Sequence, residues 1–211
     1  MIVIKGVAAS PGIAIGKAHV LENEEIVINR VEIPKERLRH EIKRFKSALE
    51  ATHRDLDQAE SKVLKMLGKE HVRLIDTHRL ILRDPLITKD VPERILEERV
   101  NAEFALSEAL EVVNQAFEKM QDEFFRERRH DLFDVGKRLL SHLLKKERRT
   151  LSEIRQPAVL VARNLLPSDT LNLKENNVLG FVTDLGGKTS HTAILAQSME
   201  IPAVVGLSDA S

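Results

Sequence analysis

The sequence contains no cysteine, no tryptophan and no tyrosine, and its only aromatic residues are phenylalanines. Without a thiol the chain forms no disulfide, no thiolate-held metal site and no cysteine-based nucleophile. Charge of one sign is also missing, since 33 basic residues offset 33 acidic ones. A general nucleic-acid binder needs surplus Lys and Arg to displace the counterions around phosphates, so that partner class is set aside. The basic run Arg126, Arg128 and Arg129 is interrupted by Glu123, Glu127 and Asp131, the pattern of a solvated helix face. There is no long apolar run either. Lys5 and the Ser10-Pro11-Gly12 turn break the N-terminal apolar stretch before it reaches the length of a signal core or a membrane span. No membrane association and a cytoplasmic location are therefore expected. No Walker or dinucleotide glycine loop occurs, so neither ATP nor NAD is suggested. His19, His40, His53, His71, His78, His130 and His142 show no metal-ligand spacing, and no metal is expected.

What the chain does hold is two kinds of pattern. Residues 1–30 alternate short β-branched runs with Gly and Pro and read as strands joined by tight turns. From Pro34 the apolar residues recur at steps of four and three: Leu38, Ile42, Phe45, Leu49, Leu56, Ala59, Val63 and Met66, with Thr52 alone breaking the stripe. This predicts a helix of roughly 30 residues, about 45 Å long, stopped near Gly68. A second helix is expected over 70–83, ended by Asp84-Pro85 because proline disfavours the α conformation before it. A short third carries Val91, Ile95 and Leu96. Asn101 reads as the N-cap of a fourth, with Phe104, Leu110 or Ala109, Val113, Phe117, Met120 and Phe124 inward. Leu132, Val135, Leu139 and Leu143 mark a fifth. Amphipathic stripes of this kind bury against one another, so 34–146 is expected to be an antiparallel helical bundle. Short β-rich runs return at 157–162, 178–183 and 201–205, with a helix at 191–199 between the last two. The expected fold is α/β plus all-α. Residues 1–33 and 147–211 form a discontinuous α/β subdomain, truncated at its C-terminal end, with the bundle of 34–146 inserted.

The segment from Thr183 to Ala196 carries the chemistry. A strand runs into Gly186-Gly187, and Thr189, Ser190 and Thr192 then surround His191 at a helix start. Glycines let the backbone approach a ligand closely, and the first N–H groups of a helix have no intrahelical acceptor and favour an anion. Hydroxyls can donate further hydrogen bonds to phosphate oxygens. A neutral imidazole is a competent nucleophile near neutral pH, and its N–P bond can pass the phosphoryl group on. The same string also describes an ordinary strand-to-helix connection with Ser190 as N-cap and His191 partly exposed. The residues by themselves leave both readings open.

Gly-Gly-Lys-Thr-Ser-His-Thr-Ala-Ile-Leu-Ala (186–196) closely resembles the phosphohistidine motif of the phosphoenolpyruvate-utilising enzymes, and within them that of Enzyme I of the bacterial sugar phosphotransferase system. The resemblance extends to Ala9-Ser-Pro-Gly-Ile-Ala-Ile-Gly-Lys-Ala18, to Asp131-Leu-Phe-Asp-Val-Gly-Lys-Arg-Leu-Leu140 and to Ile201-Pro-Ala-Val-Val-Gly206, nearly the whole chain in order. It implies that His191 is phosphorylated at Nε2 and that Thr170, in Pro167-Ser-Asp-Thr170, orients its ring. Gly186, Gly187, Lys188, Thr189, Ser190 and Thr192 then form the phosphate environment. It further implies that the small phosphocarrier HPr docks on His78, Leu80, Ile81, Asp84, Arg128 and Asp131. On the residues alone, His78, Leu80 and Ile81 read as helix packing, and Arg128 with Asp131 as a solvated pair.

Two residues depart from the pattern. Gln197 stands where the family usually has Arg, which removes a fixed charge, and Lys188 replaces an Arg, which loses the planar fork. The resemblance also implies a C-terminal barrel that binds phosphoenolpyruvate and Mg²⁺ and supports a homodimer. Nothing in 211 residues can be that barrel, so the chain reads as a monomeric fragment that needs no cofactor of its own. Two rival readings stand beside it. One is the swivelling domain of a pyruvate-phosphate dikinase or phosphoenolpyruvate synthase relative, and the other a non-catalytic helical interaction module.

Overall fold

A computed structural model of the chain describes residues 3–21, 27–69, 72–118, 123–145, 151, 154–165, 170, 173, 177–188 and 190–207. At 66, 67, 73, 74, 117, 118, 123–130 and 191 it describes the backbone alone. The chain divides into two compact units. One comprises Met1–Glu25, Lys65–Gly68 and Arg149–Ser211, the other Ile26–Leu64 and Lys69–Arg148.

The first unit is built on a five-stranded sheet made by both ends of the chain. Its strands are β1 (Val7–Ser10), β2 (Lys17–Leu21), β3 (Ala158–Ala162), β4 (Val178–Thr183) and β5 (Ala203–Val205), ordered β1-β5-β4-β3-β2. β2, β3, β4 and β5 run parallel, and β1 joins β5 antiparallel. The first two strands therefore do not form the tight-turned pair that the sequence suggests. They occupy opposite edges, and residues 11–16 carry the chain past the strands between them. Small residues permit that crossing. A Cβ on Gly180 would lie 2.6 Å from the Cβ of Ala14, and one on Gly12 would lie 2.6 Å from Pro202. Ile13 and Ile15 flank Ala14 and point to solvent.

One sheet face buries Leu160, Ala162, Phe181, Ala203 and Val205. A helix, His191–Ser198, covers it with Ala193 and Ala196, followed by Met199. Full burial of a side chain such as Phe181 contributes about 1.5–3 kcal/mol.

The second unit is helical. It contains α1 (Leu38–Leu67) as far as Leu64, α2 (Arg73–Arg83), α3 (Val91–Glu98), α4 (Ala102–Glu118) and α5 (Glu123–Leu144), so the helix His191–Ser198 is α6. Sheet unit plus helical bundle is the α/β and all-α combination expected. The buried seam of α1 is Leu38, Glu41, Phe45, Ala48, Thr52, Leu56, Ala59 and Val63. It runs through Glu41 and Ala48, and Ile42 and Leu49 flank it half-buried. Thr52 fits because its hydroxyl donates to the Ala48 carbonyl at 2.9 Å, which satisfies it within the helix. α2 stops at Arg83 as expected. Asp84 is extended and accepts from Leu86 N at 2.9 Å, and a π-helical turn over Leu86–Asp90 leads straight into α3. Phe117, Met120 and Phe124, expected inward, lie outside the described side chains.

Glu41 is buried because it belongs to a charge cluster. Arg44 donates through Nη1 to Glu103 Oε1 at 2.7 Å and to the Leu143 carbonyl at 2.9 Å, and through Nε to Glu41 Oε2 at 3.1 Å. Glu41 Oε1 accepts the Ala102 N–H at 2.7 Å and so caps α4 from α1. Asn101, expected as that cap, uses its Oδ1 to accept from Val31 N and its Nδ2 to donate to Glu103. Burial by itself pushes the Glu103 carboxyl up. The Arg44 guanidinium, the residue's own backbone N–H and Asn101 outweigh that and hold it below the ordinary carboxylate range.

Candidate functional site

The expected anion site begins where β4 ends. Thr183 is buried, and its hydroxyl donates to the Leu185 carbonyl at 2.7 Å, which turns the chain out of the strand. Asp184 N and Leu185 N donate to the carbonyls of Ala162 and Arg163 just beyond β3, and Leu207 N donates to Thr183 O. The turn is thus tied to both neighbouring strands. Gly186 has φ +113°, a conformation that side-chain-bearing residues rarely adopt, and a Cβ there would come within 3.3 Å of Ser190 Oγ. Among the described residues nothing lies within 4 Å of where a Cβ on Gly187 would be. Lys188 is exposed, and Thr189 lies outside the described residues.

Ser190 caps α6. Its Oγ accepts from Ala193 N at 3.3 Å, its carbonyl accepts from Ile194 N, and its own N–H donates to Gly187 O at 3.0 Å. With Oγ acting as acceptor there, its hydroxyl proton remains available to a ligand. His191 is the first helical residue. Its side chain lies outside the described set. Thr192 differs from expectation: it is buried, and its hydroxyl donates inward to the Leu165 carbonyl at 3.0 Å. That proton anchors the helix start and is not offered to a phosphate oxygen. Thr170 is fully buried, and its carbonyl accepts from Leu173 N, while residues 167–169 lie outside the described set.

Sequence reasoning missed two contacts at the other end of α6. Gln197 Nε2 donates to the Ala9 carbonyl at 2.6 Å, and Ser10 Oγ donates to the Ala196 carbonyl at 3.4 Å. No periodicity announces a side chain that bonds a strand far away in sequence.

The residues expected to dock a partner separate into two groups in the helical unit. His78 is 1% exposed and Asp131 6%, and His78 Nε2 faces Asp131 Oδ1 at 3.4 Å between α2 and α5. They lie in the interior, so packing describes His78 and a solvated pair does not describe Asp131. Leu80, by contrast, is 65% exposed, Ile81 is half-buried, and Asp84 is exposed at the end of α2. The Arg128 side chain lies outside the described set. Beside Leu80, Arg79 grips Asp57 at 2.6 Å and Glu60 at 2.5 Å on α1. His53 sits half-buried on α1, held below its ordinary pKa by burial and by Arg83. Among the described residues no group of three or more His, Asp or Glu could hold a metal ion, and no helix is long and apolar enough to cross a membrane.

The presence in one chain of a sheet unit with a Ser-capped histidine helix and of a helical unit agrees with what comparison finds. The N-terminal family model of PEP-utilising enzymes matches residues 5–128, and the mobile-domain model of the same enzymes matches 154–211. The chain belongs to the phosphoenolpyruvate-utilising enzymes. Within them it matches the N-terminal part of Enzyme I. The solution structure of an Enzyme I protein superposes with a TM-score of 0.75 at 44% identity, over 98% of this chain and 84% of that one. The phosphoenolpyruvate-protein phosphotransferases of Listeria monocytogenes and Bacillus subtilis are 45% and 41% identical over 96% of this chain. The chain spans 35% of the length of those relatives.

Proposed function

We propose that this chain is the phosphoryl-carrying part of a phosphoenolpyruvate-protein phosphotransferase, with His191 as the carrier and HPr as its protein partner. The observation that carries this reading is the placement of 186–196: a glycine turn and a Ser190-capped helix start with His191 as first residue, in a chain 44% identical to a solved Enzyme I protein. Residues 1–33 and 147–211 would present His191. Residues 34–146 would dock HPr through exposed Leu80 and Asp84 and half-buried Ile81 of the expected patch. His78 and Asp131 would support it from beneath.

In the transfer itself, Nε2 of neutral His191 attacks the phosphorus of a phosphohistidine on HPr. One N–P bond forms and the other breaks, and the departing ring keeps its electron pair. The glycine turn at Gly187, the Ser190 hydroxyl and the N–H groups of the helix start that Ser190 does not cap receive the phosphoryl oxygens. Lys188 adds a cation that can approach. In-line positioning is the main requirement. In the physiological direction the group arrives from phosphoenolpyruvate and leaves to HPr. Phosphoenolpyruvate, Mg²⁺ and dimerisation belong, in this reading, to the remaining length of the relatives, and the setting is cytoplasmic.

The test is incubation with phosphorylated HPr followed by assay of acid-labile, base-stable phosphate. Wild type acquires the label and His191→Ala does not. Label retained by the Ala variant, or none on wild type, overturns the reading.

A further inference from the structure

α6 is clamped to β1 by a reciprocal pair of side-chain hydrogen bonds. The helix sends Gln197 Nε2 to the Ala9 carbonyl, and the strand sends Ser10 Oγ to the Ala196 carbonyl. Ala9 is an unusual residue in its strand. The β1–β5 register passes from Ala8 opposite Val204 to Ser10 opposite Ala203, so Ala9 is the extra residue of a β-bulge. Bulged residues drop out of the ladder, yet Ala9 is buried. A buried carbonyl outside the ladder needs a donor from elsewhere, and the Gln197 amide supplies it. The bulge and the amide are thus complementary parts of one contact.

From these contacts we infer that Gln197 is a positioning residue for phosphoryl transfer, which sets the helix bearing His191 against the bulge at Ala9. The inference rests on His191 being the phosphorylated residue. Gln197 lies six residues further on, about 9 Å along the helix axis, so it acts through the helix and not on the phosphoryl group. An uncharged amide contributes no field at the phosphate; it contributes a donor. α6 has only eight residues, and Thr192 ties its start to Leu165, so the Ala9 contact fixes the tilt of a short rod held at both ends. In-line transfer is sensitive to displacements well below the size of an atom. Gln197 is itself exposed, so its replacement opens no core cavity.

The experiment compares wild type, Gln197→Met, Gln197→Arg and Ser10→Ala in steady-state transfer from phosphorylated HPr, with the His191 ring resonances recorded for each. Met keeps the length and removes the donor, and it should lower kcat about tenfold at unchanged KM while shifting the His191 ring resonances. Arg restores a donor and should return kcat to within about twofold of wild type, which loss of fold alone would not predict. Ser10→Ala weakens the other half of the clamp and should cost about threefold in kcat, again without change in KM. The inference falls if Gln197→Met transfers at the wild-type kcat, or if Arg fails to restore what Met loses. Should Gln197→Met not fold, a wild-type kcat for Ser10→Ala overturns it. Wild type that takes no acid-labile phosphate removes the carrier reading itself. Labelled wild type with an indifferent Gln197→Met removes the positioning role alone.

Discussion

Arg44 holds two buried carboxylates at once, Glu41 and Glu103, and its removal leaves both without the cation that makes their burial tolerable. Arg44→Met should therefore destabilise the helical unit by about 3–5 kcal/mol, read from urea midpoints by circular dichroism. The same cluster gives the pH dependence a sign. The Glu103 carboxyl is depressed in the folded state, so its contribution is full above the ordinary carboxylate range and is lost as pH falls through the depressed value. Wild type should lose stability below about pH 4.3, and Glu103→Gln should show a shallower acid slope from a lower starting stability. Thr192 makes a comparable case in the sheet unit. Thr192→Val keeps the shape but leaves the Leu165 carbonyl without its donor, for an expected loss of about 1–3 kcal/mol in thermal or urea unfolding.

At the level of elements, the crossing of residues 11–16 depends on Gly180. A methyl group there meets Ala14 Cβ at 2.6 Å and the Pro202 carbonyl at 3.0 Å, neither of which is the loose end of a long side chain. Gly180→Ala should cost about 1–3 kcal/mol, and hydrogen exchange should show the loss in β4 and β5. Much of this level was legible beforehand. The runs at 157–162 and 178–183 are short and β-rich, and β3 and β4 form within them. The four-three spacing from Leu38 became α1, because such spacing lines one helix face. Strand pairing was not legible. Neighbours in sequence usually pair, and nothing in Ser10-Pro11-Gly12 distinguishes a hairpin from a crossing; only the small residues Ala14 and Gly180, far apart in sequence, make the crossing possible. Two positions of the α1 seam, Glu41 and Ala48 in place of Ile42 and Leu49, were not legible either. Glu41 carries a charge, and a charge is read as solvent-facing unless its distant contact, the Ala102 N–H at the start of α4, is already known. The glycine turn and the cap at Ser190 were legible from local chemistry. The inward use of Thr192 and the amide of Gln197 were not, since their acceptors, Leu165 and Ala9, lie 27 and 188 positions away.

For the molecule as a whole, the match to 35% of the length of its relatives bears on what it can do alone. Mixed with phosphoenolpyruvate and Mg²⁺ but no HPr, the chain should acquire no acid-labile phosphate, whereas phosphorylated HPr should label it. Label from phosphoenolpyruvate alone would show that these 211 residues contain a donor site the reading assigns elsewhere. The strand order has a further consequence, in time. β2 pairs with β3 through Lys17 and Ala158, and among the described residues β1 pairs only with β5, through Val7 and Val205. On a ribosome β1 is made before the other four strands of its sheet, yet its partner β5 is the last of them. All five helices of the second unit emerge before either β1 or β2 has its partner strand, so β2 waits for β3 and β1 waits for β5. Closing so long a loop is slow, and unpaired strands are prone to association with other chains. The folded yield of the sheet unit should accordingly depend on how fast the stretch between β2 and β3 is made.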